Sequence, residues 1–143
     1  MYETEFITAG LTIIGGIIIF AGGQLINEFV IKPIVSLKQE IGKIAFALTF
    51  HANMYTSPNL RGLSIDVDKH NCANELRKRA SHLRATINAV PDFAVKFFRL
   101  PSKFNIFKAS DNLIFLSNST FDGDALANQR KREETEKLLK IAY

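Results

Sequence analysis

The chain has 143 residues, 47% of them hydrophobic, and 18 Lys and Arg against 14 Asp and Glu give a formal net charge of +4. Setting aside an N-terminal apolar stretch leaves about 110 residues, the size of one modest domain, so no second domain fits. A single cysteine, Cys72, cannot close an intramolecular disulfide, and nothing in the composition requires an oxidising compartment.

From Phe6 through Asn27 the chain carries no charge, a run that covers about 33 Å as a helix. This predicts a transmembrane helix within residues 1–31. A cleaved signal peptide needs a basic start and a shorter apolar core, whereas Glu3 and Glu5 open this chain without a Lys or Arg. All 18 Lys and Arg lie at or after Lys32, and only Glu3, Glu5 and Glu28 of the acids precede it, so residues 32–143 carry +7. The nearest flanking cations, Lys32 and Lys38, follow the span. Basic flanks stay on the cytoplasmic side, which predicts a single-pass inner-membrane protein with its N-terminus outside and residues 32–143 in the cytoplasm.

On a helical wheel, Thr8, Ala9, Thr12, Gly15, Gly16, Gly22, Gly23 and Asn27 share an arc of roughly 140°. Lipid-suited Leu11, Ile13, Ile14, Ile17, Ile18, Phe20, Leu25 and Phe29 take the other side. Helices meet in membranes through small residues and through Thr or Asn hydrogen bonds, and the seven-residue spacing of Ala9, Gly16 and Gly23 suits nearly parallel packing. The expectation is a homo-oligomer, either a tight dimer or a ring whose pore this face lines, with Gln24, Asn27 and Glu28 at the cytoplasmic mouth.

Pro33 either kinks the chain or opens a new helix. Ile34, Leu37, Ile41, Ile44, Leu48, Ala52 and Tyr55 recur at three and four, predicting a helix over about 33–55. Thr56, Ser57, Pro58, Asn59 and Gly62 break it, and a loop is expected to Lys69. A second helix over about 70–90 buries Cys72, Leu76, Ala80, Leu83, Ile87 and Val90, presents a basic outer face and stops at Pro91. Asp92 to Leu100 is a short helix or an apolar connection. Ser102 caps a third helix marked by Phe104, Phe107, Asp111 and Ile114, reaching about Ser117, and Asp124 caps a last one through Leu126, Arg130, Lys137 and Ile141. The whole reads as all-α, one transmembrane helix followed by an up-and-down cytoplasmic bundle of about four helices. The phenylalanines after Lys32 are expected to fill its core and not to serve as a base-stacking platform.

No phosphate-binding glycine loop, zinc cysteine pair or hydrolase motif occurs, so the usual signals of most enzyme classes are missing and no cofactor or metal is expected. The second helix does hold Arg77, Lys78, Arg79, His82 and Arg84. This face suits phosphate, whether of RNA or of anionic lipid headgroups. Arg130, Lys131 and Arg132 are balanced at once by Glu133, Glu134 and Glu136 and read as solvated surface. His51 sits at the edge of the first apolar stripe, and His70 near a cap.

The Arg77, His82 spacing resembles the Arg-x-x-x-x-His motif of HEPN ribonucleases. That resemblance implies two protomers joining their motifs, with His82 moving a proton and Arg77 holding phosphate, and no metal. Lys78 departs from the family, which usually carries Asn, Asp or His after the Arg. On one helix Arg77 and His82 also sit about 140° apart, so non-enzymatic function is the preferred expectation. With one membrane helix ahead of it, the bundle resembles the membrane-bound, divergent HEPN-like accessory proteins of type VI-B CRISPR antiphage systems. Those imply a pore-forming homo-oligomer that depolarises the membrane. A non-catalytic adaptor that holds a cytoplasmic protein partner or nucleic acid is the alternative, and a membrane-tethered ribonuclease the third.

Overall fold

Pro33 does not stop the helix that precedes it. In the computed structural model, which describes residues 2–58 and 62–141, α1 (Tyr2–Ile26) runs through a π-helical turn (Asn27–Ile31) into α2 (Lys32–Phe50). A proline at position 33 cannot donate to the Phe29 carbonyl, and its ring collides with that carbonyl in a regular α-helix. One wide turn relieves both problems: the Lys32 amide donates to Asn27 five residues back, and the helix resumes beyond the proline. Tyr2–Phe50 is therefore continuous helix, and its stretch Ile7–Phe50, 44 residues, is about 66 Å long. It is long and apolar enough to cross a membrane.

The remaining elements are α3 (Ala52–Thr56), α4 (Leu63–Asn88), α5 (Asp92–Phe97), α6 (Lys103–Asp122) and α7 (Ala125–Leu139). No strand occurs among the described residues. The long helices α2, α4, α6 and α7 pack side by side, α4 between α2 and α6, and α7 on α6. Each neighbouring pair is antiparallel: Glu40 meets Arg79 while Ala47 lies beside Asn74, and Ser110 bonds Ala80 while Ser117 bonds Ala73.

The aliphatic periodicity of the first two bundle helices is realised. Ile34, Leu37, Ile44, Leu48 and Tyr55 are buried, Ile41 and Ala52 partly so, and Cys72, Leu76, Ala80, Leu83, Ile87 and Val90 are all buried. Their boundaries differ from expectation. His51 leaves the helical region and separates α2 from α3, so 33–55 is two helices. α4 starts at Leu63, seven residues early, just after Gly62, and inside it Lys69 is buried with its ammonium donating to the Pro58 carbonyl at 2.5 Å. Asn59 lies outside the described residues.

Both expected caps are present: Ser102 Oγ accepts from the Asn105 amide at 3.2 Å, and Asp124 Oδ1 from the Leu126 amide at 3.1 Å. The faces of these two helices are the main correction. α6 buries Ile106, Ala109, Leu113 and Leu116 with Ser110, Asn112, Ser117 and Thr120, while Phe104, Asp111 and Ile114 are exposed. α7 buries Asn128, Thr135, Glu136 and Leu139, and Leu126 faces outward.

Small residues explain this choice. Ala73 and Ala80 on α4 face Ser117 and Ser110 on α6, both pairs seven apart, and each serine hydroxyl donates to the opposing alanine carbonyl at 2.9–3.0 Å. Such close approach leaves no room for phenyl rings. None of the described phenylalanines is among the buried core residues, which are aliphatic plus Tyr55 and Cys72; Phe107 alone among the described phenylalanines packs partly buried against them.

Candidate functional site

Two surfaces carry the candidate functional residues: the face of α1 and the outer side of α4. Along α1, a Cβ added at Gly10, Gly15, Gly16, Gly22 or Gly23 would meet nothing within 4 Å. The side chains from Ile7 onward touch none of the bundle core, and the apolar ones stand exposed. Thr12 returns its hydroxyl to the Thr8 carbonyl at 2.9 Å, which satisfies the group inside its own helix. Thr8, Ala9, Thr12, Gly15, Gly16, Gly22 and Gly23 lie on regular helix, so the shared face read from 100° spacing holds over them. Asn27 opens the π turn. Glu28, one residue on, pairs with Lys32, which offsets the charges at the C-terminal edge of the apolar run.

On α4 the four cations diverge. The Arg79 guanidinium turns toward α2 and lies between Glu75, at 2.5 Å, and Glu40, at 3.1 Å. Glu40 is only 4% exposed and keeps Lys43 at 3.5 Å as a second partner. Those two carboxylates hold the Arg79 guanidinium more firmly protonated than usual, against the opposing effect of burial. Arg77 turns the other way and donates to Asn118 Oδ1 at 2.7 Å. Arg84 donates to Ser110 Oγ at 2.7 Å, pairs with Asp111 and lies 5.8 Å from the Phe107 ring centre. Lys78 is exposed and lines a groove with Phe46, Phe50, His51, Asn71 and Asn74. His82 is exposed on the same unbroken helix as Arg77.

Burial pushes His51 below the ordinary imidazole range, against the opposing charges of Glu75 and Asp68. Its ring meets Phe50 edge-on at 4.9 Å, and Phe50 stacks on Phe46 at 5.4 Å. His70 is not near a cap as expected: with α4 starting at Leu63 it lies two turns inside the helix, beside Phe121 at 4.7 Å. Among the described residues no three His, Cys, Asp or Glu side chains gather to hold a metal ion. Cys72 is fully buried, and its thiol is pushed up to about 12 by that burial.

Sequence reasoning passed over Glu40, which is buried because it faces Arg79 across the α2–α4 seam. Its signal was positional: it lies seven before Ala47 and three after Leu37, on the inner stripe where an acid requires a cation. The fold and these surfaces define an all-helical chain with one candidate membrane span. Compared with protein-family models, curated proteins and solved structures, the chain matches none.

Proposed function

We propose that this chain is a single-pass membrane protein whose α1 crosses the bilayer and assembles with α1 of further copies into a complex that permeabilises the membrane. The observation that carries this reading is that, among the described residues, α1 packs no side chain against the bundle core: its glycines face open space and its apolar side chains are exposed. An apolar helix of this length is stable only in lipid or against another helix. Its small-residue face suits the second and its Ile, Leu and Phe face the first. The positive-inside pattern favours a cytoplasmic bundle. Antiphage defence is the setting that the HEPN-like resemblance implies.

The test is dye release from vesicles carrying the full chain, together with the oligomer mass in detergent. The expected result is release and a ring of six or more copies, with both lost in Gly16→Leu/Gly23→Leu. Leakage that survives both substitutions overturns the pore. A dimer that releases nothing supports the adaptor reading, for which the exposed Phe46 and Phe50 beside Lys78 supply a docking groove.

A further inference from the structure

The antiparallel register places one end of the bundle beside the end of the apolar run. Glu40 lies level with Arg79, and each step back along α2 advances along α4. Lys32 is therefore level with about Ile87, and the α4 terminus, α5, the start of α6 and the end of α7 all lie at this floor. Val30, three residues past the uncharged run, already packs against the bundle core. Lys38 and Ile41 share a cleft there with Phe98, Arg99 and Lys140.

What this floor exposes is unusual. Phe93 and Phe97 lie one turn apart on α5 at 63% and 79% exposure, and Phe104 in the first turn of α6 is 74% exposed. Ala94 and Leu100 of the same segment are buried, so the elbow is fixed with its rings turned out. Lys96, Arg99 and Lys103 are interleaved with them, and Lys140 donates to the Arg99 carbonyl at 3.0 Å. Asp92, paired with Lys103 at 2.7 Å, is the acid of this elbow. The far end gathers Asp66, Asp68, Asp122 and Asp124 around the buried Lys69, and is acidic on balance among the described residues.

The backbone adds an independent sign. Among the described residues, Arg99 and Lys140 are the non-glycine residues at positive φ, 51° and 57°. Each closes a helix with the paired bonds of a Schellman cap: Arg99 to Lys96 and Leu100 to Val95, then Lys140 to Lys137 and Ile141 to Glu136. Glycine is the residue that fits this position without strain. Both caps carry a cation instead, and the two touch. A local rule broken twice at one place marks a surface kept for something other than stability.

We infer that this floor is a membrane-docking surface: Phe93, Phe97 and Phe104 enter the interface of an anionic bilayer while Lys96, Arg99, Lys103 and Lys140 meet its headgroups. The inference rests on α1 spanning that bilayer. Exposed rings beside cations are the chemistry of an interfacial anchor, and opposite charge at the two ends orients the bundle upright on a negative surface. Tethering by α1 keeps the floor at the headgroups, so weak docking suffices.

The test uses the full chain with Cys72→Ala, reconstituted in phosphatidylcholine vesicles with and without phosphatidylglycerol. An environment-sensitive dye is placed at Phe97→Cys, Ser57→Cys or Ile18→Cys in turn. The expected result is a blue-shifted dye at 97, quenched by shallow nitroxide lipids in the anionic vesicles, while the dye at 57 stays in water. Lys96→Glu with Arg99→Glu lowers the docked-to-free ratio by a factor of about five per charge removed. Arg99→Gly raises the melting temperature yet weakens docking, which a purely structural cap would not do. A dye at 18 within the acyl chains with the dye at 97 in water overturns the docking and leaves the span intact. A dye at 18 outside the acyl chains overturns both. Shielding at 97 that is equal in neutral vesicles and grows with protein density assigns the patch to a second copy and overturns the lipid assignment.

Discussion

Replacing Arg79 with leucine strands the Glu40 carboxylate between α2 and α4. The side chains of Glu40 and Arg79 are 5% and 15% exposed, and their 3.1 Å contact is the ion pair that ties these two helices together. Breaking a buried pair by deleting one partner costs about 3–5 kcal/mol. Glu40 retains Lys43 at 3.5 Å, so the lower bound, about 3 kcal/mol, applies. For a bundle of this size that lowers Tm by about 12 °C. The assay is thermal unfolding of the full chain in detergent micelles, followed by the near-ultraviolet signal of the buried Tyr55, since far-ultraviolet signal from α1 persists in detergent. Glu40→Leu combined with Arg79→Leu recovers most of the loss, because an apolar pair at this seam has no stranded charge. An Arg79→Leu variant within about 0.5 kcal/mol of the parent, the range of an ordinary surface change, refutes the structural assignment and returns Arg79 to the phosphate-binding face expected from sequence.

Gly123→Ala sets a methyl 2.4 Å from the Ser119 carbonyl and 2.7 Å from Asn128 Nδ2; calorimetry of the variant is expected to show a loss of about 1–3 kcal/mol. Lys108 and Lys131 hold the Glu134 carboxyl down at about 2 from an ordinary 4.5. Its contribution is therefore present above pH 4.5 and fades as pH falls toward 2, so the Tm of Glu134→Gln should drop less steeply over that window than the parent's. The Cys72 thiol, buried and titrating near 12, should resist maleimide in the native protein and react at the rate of bundle opening, with labelling accelerating in the Arg79→Leu variant.

The sequence was legible where burial is aliphatic. The inner faces of α2 and α4 follow from Ile, Leu and Ala at three and four, and the hydroxyl and carboxylate caps at Ser102 and Asp124 have a local cause that survives folding. α6 and α7 were misread because their buried faces consist largely of Ser, Asn, Thr and Glu, which carry no apolar period. Phe104 and Ile114 drew attention to the wrong side. The seven-residue match of Ala73 and Ala80 with Ser117 and Ser110 appears only when two helices are compared. Of the candidate surfaces, the α1 wheel keeps its geometry because Tyr2–Ile26 is regular α-helix. The basic face of α4 was read as four solvent-facing cations, while Arg79 and Arg84 each answer an acid on a neighbouring helix. The left-handed positions at Arg99 and Lys140 had no signal, since the usual one is a glycine.

The π turn at Asn27–Ile31 acts as a phase setter between two rotors. It accommodates one residue more than a regular turn, so the azimuth of the small-residue face about the bundle is offset by about 100° from that of an uninterrupted α-helix. Proline at position 33 locks the offset in place. An assembly of the kind proposed, built through α1, would thus inherit a fixed angle between its α1 contacts and the orientation of every bundle around it. Removing the exposed Phe29 would re-time that angle and leave both α1 and the bundle core whole.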